Sequence, residues 1–118
     1  MSSDLKSAAE HYYTTVDEQS AEDVVALFTA DAIYRRPGYQ PMVGTDALMA
    51  FYGGERVIVG GRHTLTNLVV DGDRVAVEGQ FKGVLRDDSQ VEIKFSDFFT
   101  FAGGLIHERN TYFDAVAV

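Results

Sequence analysis

The stretch from Val91 to Phe101, VEIKFSDFFTF, poses the chemical question of this chain. A strand sends alternate side chains to opposite faces, so Asp97 points the same way as Val91, Ile93, Phe95, Phe99 and Phe101. An isolated buried carboxylate is costly, and it takes up a proton or finds a partner. Asp97 is therefore either a neutral acid that donates a hydrogen bond to a ligand oxygen, or a carboxylate held by a backbone amide or an arginine. Arg36 is a candidate partner. By alternation in AIYRR it lies with Tyr34 and opposite Ile33 and Arg35, where it can pair with Asp97 or Glu108, hook an anionic ligand, or sit at the surface. His63, on the parity of Leu65, Asn67 and Val69, is of the residue type best suited to moving protons near neutral pH. Asp17, in DEQS, reads first as a solvated helix end. His11, His63 and His107 lack a metal-ligand spacing, so no metal site is expected. GGERVIVGG has glycines but no capped helix after it, hence no phosphate loop.

These side chains need elements to hold them. Leu5, Ala8, Ala9, Tyr12 and Val16 recur at helical spacing, which predicts an amphipathic helix from Asp4 to Glu18 with Ser2 or Ser3 as N-cap and Tyr12 on its apolar stripe. SAED at 20–23 resembles a capping box before Val24, Val25, Leu27 and Phe28, and predicts a short second helix ending near Thr29. A strand, AIYRR, comes next. Past Pro37, Gly38, Pro41 and Gly44, Thr45 caps a third helix with Ala47, Leu48, Phe51 and Tyr52 as its apolar residues. From Arg62 onward the pattern is strands: His63–Val70, Arg74–Leu85, Val91–Phe101 and Leu105–Phe113. DGD, RDDS and AGG form the joints, so the four strands make an antiparallel meander. Helices first and a long, twisted sheet second give an α+β fold in one domain, 1–118, with helices on one face of a curved sheet that encloses a pocket.

Composition limits the partners. A formal charge of −8 argues against nucleic acid and anionic membrane, whose binders carry clustered Lys and Arg. Cysteine is absent, which excludes disulfides, thiolate metal sites and a cysteine nucleophile. The first residues lack a basic start followed by an apolar run, and no run of apolar residues is long enough to span a bilayer, so a soluble, cytoplasmic protein is expected.

The order of motifs resembles the NTF2-like α+β cone proteins, in particular their SnoaL-like and ketosteroid-isomerase-like branch. The resemblance runs from HYYTTVDEQSAEDVVALFTADAIYRRPG through MVGTDALMAFY to SDFFTFAGGLIHERNTYFD. It implies a cone with an internal pocket and a homodimer formed through the outer sheet face. It also implies residue roles. Tyr12 falls on that branch's first-helix tyrosine and Asp97 on its strand aspartic acid, the two donors of an oxyanion hole in which the acid stays neutral in apolar surroundings. Arg36 stands before Pro37 where the branch has its proton-carrying aspartate, and a guanidinium cannot abstract a proton. In the resembling family the parity of Glu108, Asn110 and Tyr112 faces the pocket, which makes Glu108 a candidate general base and Asn110 and Tyr112 candidate ligand contacts.

Two functions fit. One is a cofactor-free acid–base enzyme of the isomerase, dehydratase or cyclase type, acting on a small, largely apolar carbonyl- or hydroxyl-bearing molecule. In it Tyr12 and Asp97 stabilise an oxygen, Glu108 or His63 moves a proton, and Arg36, Tyr34, Asn110, Tyr112 and Phe51 contact the ligand. The other is a non-catalytic binding or dimeric interaction module of the same fold.

Overall fold

The helical stripe of Ala9, Tyr12 and Val16, joined by Tyr13, buries one side of the first helix against the sheet. In the computed structural model, which describes residues 2–18, 20–55 and 58–114, this helix, α1, runs Ser2–Asp17. The expected cap at Ser2 or Ser3 falls on side chains outside those described. α2, Ala21–Val25, starts as predicted, with Ser20 Oγ accepting from the Asp23 amide at 3.4 Å. It ends earlier than predicted, because Phe28 already belongs to strand β1, Phe28–Arg35. β2, Met42–Val43, pairs antiparallel with β1. Gly44, at φ +87°, takes the left-handed conformation that turns the chain into α3, Gly44–Ala50. Val43 occupies the N-cap without a side-chain bond, so Thr45 lies inside the helix and does not cap it. A π-helical turn, Phe51–Glu55, extends it. Within GGERVIVGG, residues 56 and 57 lie outside those described, and Ile58 already starts a strand.

The remaining strands are β3, Ile58–Asp71, β4, Arg74–Leu85, β5, Gln90–Ala102, and β6, Leu105–Phe113. They form the predicted antiparallel meander. The sheet extends further, in the order β2-β1-β6-β5-β4-β3, with β1 running parallel to β6. The chain is thus an α+β cone, with its helices across the concave face of a mixed sheet.

Alternation on β5 holds throughout: Ile93, Phe95, Asp97, Phe99 and Phe101 are buried. On the other face Phe98 and Tyr112 are exposed and meet edge to face at 6.0 Å. β6 alternates only after an interruption. Its register against β5 slips between Thr100 and Phe101, where Glu108 pairs with Thr100 and Ile106 with Phe101, leaving His107 as an extra residue. This bulge sets the phase of the strand beyond it, so Ile106, Arg109 and Thr111 all face inward. The far end of β6 is fixed by Asp114, which accepts from the Lys94 amide at 3.0 Å and donates to the Lys94 carbonyl at 3.1 Å.

Candidate functional site

The cone's interior holds a polar network built on Asp97, which is fully buried. Its Oδ2 accepts from the Tyr13 hydroxyl and from Arg109 Nη2 at 2.8 Å, and its Oδ1 accepts from Thr111 Oγ1. Register explains the meeting. Asp97 sits opposite Thr111 on β6, Arg109 is one inward position further along, and Tyr13 descends from α1 above them. Arg109 is buried between the rings of Tyr34 and Tyr12, whose centroids lie 4.4 and 4.7 Å from its guanidinium carbon. Its Nη1 donates to the hydroxyls of Tyr12 at 2.6 Å and Tyr52 at 3.3 Å, and these two oxygens are 2.6 Å apart. Thr111 Oγ1 also lies 3.2 Å from Tyr34 Oη, which accepts from Arg36 Nη1 at 3.0 Å.

This arrangement corrects several expectations. The arginine paired with Asp97 is Arg109, not Arg36, and the phenol bonded to Asp97 is Tyr13, not Tyr12. Three protein donors already occupy the Asp97 oxygens, so Asp97 does not form a neutral-acid oxyanion hole with Tyr12. Glu108, Asn110 and Tyr112 lie on the outer face, the opposite of the expected parity, because of the bulge at His107. There Glu108 accepts from Arg35 Nη1 at 2.8 Å and Asn110 Oδ1 from the same nitrogen at 3.2 Å, while Tyr112 is exposed. Glu108 therefore has no path to an internal ligand.

Burial pushes the Tyr12 hydroxyl well above the ordinary phenol range, with Arg109 opposing and Tyr52 and Tyr34 adding to the rise. Burial also raises Tyr13, and the Asp97 carboxylate raises it further. For Arg109, burial alone would lower the pKa, but Asp97 and the surrounding phenol oxygens outweigh it and the guanidinium stays protonated. With both phenol pKa values above those of the unfolded chain, the protonated phenols support the fold fully below about pH 10, and that support is lost as pH rises through the folded values. Phenolate absorbance from Tyr12 and Tyr13 is thus expected only together with loss of the far-ultraviolet circular dichroism, assigned by difference against Tyr12→Phe and Tyr13→Phe. Reversible ionisation of either phenol in the folded state would contradict this.

A hollow beside the network is lined by Tyr12, Tyr52, Arg36, His63, Arg109 and Thr111, with Phe51 and other apolar side chains completing the wall. About 20 Å³ of it is open to the centre of a water molecule, room for one or two waters before any side chain moves. Asp97 and Tyr34 stand behind this wall. His63 is tied to the end of α1: Asp17 Oδ1 accepts from Nδ1 at 2.7 Å and Asp17 Oδ2 from the His63 amide at 3.0 Å. Asp17 is therefore a partner of His63 and not a solvated helix end. The carboxylate places the ring proton on Nδ1 and leaves Nε2 as an acceptor with no protein partner among the described residues. Four residues of the network lie outside the expected site, although spacing carries a signal for each: Tyr13, four residues from Ala9 on the stripe, Tyr52, among the apolar residues of the third helical segment, and Arg109 and Thr111, on the parity of Phe113.

Comparison with known proteins agrees with this architecture. A family profile described as a SnoaL-like domain matches residues 9–109. No curated protein matches the chain in sequence. Among solved structures, an NTF2-like protein from Burkholderia pseudomallei superposes with a TM-score of 0.83 at 18% identity, over 94% of this chain and 91% of that one. An LEH-like epoxide hydrolase from M. tuberculosis gives 0.83 at 18% identity, over 96% and 84%. A protein assigned as a SnoaL-like polyketide cyclase from Jannaschia sp. CCS1 gives 0.79 at 19% identity, over 96% and 87%. At such identities the superpositions speak for the fold alone. With the profile spanning most of its length and the cone built as these neighbours build theirs, the chain belongs to the SnoaL-like domain family of the NTF2-like fold.

Proposed function

We propose that this protein is a cofactor-free acid–base enzyme of the isomerase, dehydratase or cyclase type, acting on a small, largely apolar molecule that carries a carbonyl or hydroxyl. The observation that carries this reading is the placement of two complementary groups on one hollow. His63, oriented by Asp17, offers an unpartnered Nε2 lone pair, and Arg109 with Tyr12 offers a fixed positive charge and a polarised phenol. A base on one side and preorganised donors on the other suit removal of a proton next to a carbonyl, with the negative charge growing on oxygen. Asp97 holds Arg109 in place and Tyr13 closes the network behind it. The solved neighbours assigned as a polyketide cyclase and an epoxide hydrolase support such chemistry as within the range of the fold.

Isomerisation, dehydration and aldol-type cyclisation share a first step, exchange of the acidic hydrogen beside the carbonyl. A panel of cyclic enones and β-hydroxy ketones in deuterated water, followed by NMR, is expected to include members whose exchange the protein accelerates without added cofactor or metal. Binding without exchange would instead favour the second reading, a ligand-holding module. That reading draws on the Asp97 oxygens being wholly occupied by protein donors.

A further inference from the structure

Arg36 is the cation of the hollow that the network does not neutralise. Arg109 has Asp97 at 2.8 Å, whereas Arg36 makes no ion pair among the described residues. In a chain of net charge −8, carboxylates are plentiful, yet aromatic rings surround this guanidinium. The centroids of Phe51 and Phe113 lie 5.2 Å from its central carbon, that of Tyr39 5.5 Å and that of Tyr34 5.9 Å. Cation–π attraction offsets part of its lost hydration and holds the plane in one orientation. Only Nη1 is engaged, with Tyr34 Oη at 3.0 Å. Nε is buried and has no partner, and among the described residues Nη2 has none either. Nε and Nη2 form the side edge of the guanidinium, two parallel N–H donors at the spacing of the two oxygens of a carboxylate.

We propose that Arg36 is the recognition group for a carboxylate on the ligand, so that the molecule taken by this hollow is a monoanionic organic acid with a ring-bearing or otherwise apolar body. This rests on the reading of the hollow as a small-molecule site and narrows its substrate class. A phosphate dianion would bring its second charge against the electron-rich faces of the rings around Arg36. Because the hollow as it stands has room for one or two waters, the aromatic wall of Phe51, Phe113 and Tyr52 must part to admit the apolar body, which then rests on these rings, while the Tyr34–Thr111 link carries the orientation of Arg36 back to Asp97.

The test uses matched probes, naphthoate and neutral naphthamide, titrated by NMR into the full chain and into Arg36→Gln and Arg36→Lys. Wild type is expected to bind naphthoate roughly 10- to 100-fold more tightly than naphthamide. Arg36→Gln should abolish the preference, so that this variant binds naphthoate no more tightly than naphthamide. Arg36→Lys keeps the charge and cage but loses the fork, so it should retain only a small part of the preference; it also serves if the Gln variant folds poorly. Equal binding of the two probes by wild type, or a preference that survives in both variants, would overturn the proposal and leave the small-molecule site standing. Binding of neither probe would overturn both.

Discussion

Replacing Arg109 with Ala is expected to cost this fold roughly 3–5 kcal/mol and to lower Tm by roughly 10–25 °C. Arg109 and Asp97 are each withdrawn from water, a transfer that costs several kcal/mol per ion and is repaid only while partners remain in place. Without the guanidinium, Asp97 keeps the hydroxyls of Tyr13 and Thr111 but no positive charge, and the phenols of Tyr12 and Tyr52 lose their common donor. A chain of this size is stabilised by only about 5–15 kcal/mol in all, so the variant should stand near the edge of folding at body temperature. The paired change Asp97→Leu with Arg109→Met separates the cost of a stranded charge from the worth of the pair. It should recover a good part of the loss, though not all, since the Tyr13 and Thr111 hydroxyls lose their acceptor. Denaturant unfolding of the two variants decides the matter: a loss below about 1 kcal/mol for Arg109→Ala would mean that the buried pair is not what holds the cone's interior together.

Exchanging His63 for Ala is expected to lower kcat for the proton exchange by roughly 10²–10⁴-fold, the usual contribution of a positioned base. The ring also packs against Phe81, Tyr13 and Phe95, with centroids 4.7, 5.2 and 5.4 Å away, so some stability is lost with it. Added imidazole distinguishes the two effects, because a small base that enters the vacated space can restore turnover without restoring the tie to Asp17. Asp17→Asn should reduce kcat by a smaller factor, through the orientation and tautomer of the histidine. Full activity in a folded His63→Ala protein would end the assignment.

The fold was legible because its signals are local and repeated. Alternation on β5 placed Asp97 indoors, the helical stripe placed Tyr12 indoors, and turn residues marked every hairpin of the meander. The parallel pairing of β1 with β6 was not legible, since it joins segments far apart in sequence and leaves no periodic trace. The site was legible only in outline. Tyr12, Arg36, Phe51 and His63, all singled out in the sequence, line one hollow, but partner choice was not foreseen, because it depends on which side chains meet across strands. Asp17 shows the same limit: it looks like an exposed helix end until β3 is folded against it.

The unpaired residue at His107 has a consequence for how this inner wall could diverge. Were that residue drawn into regular pairing while Asp114 kept β6 fixed at its far end, the segment between would have to choose one of two phases. One phase shows the interior a guanidinium and a hydroxyl; the other would show it the carboxylate of Glu108 and the amide of Asn110. A single stretch of polypeptide therefore encodes two linings of opposite electrical sign, and the position of one irregularity selects between them without any amino-acid exchange.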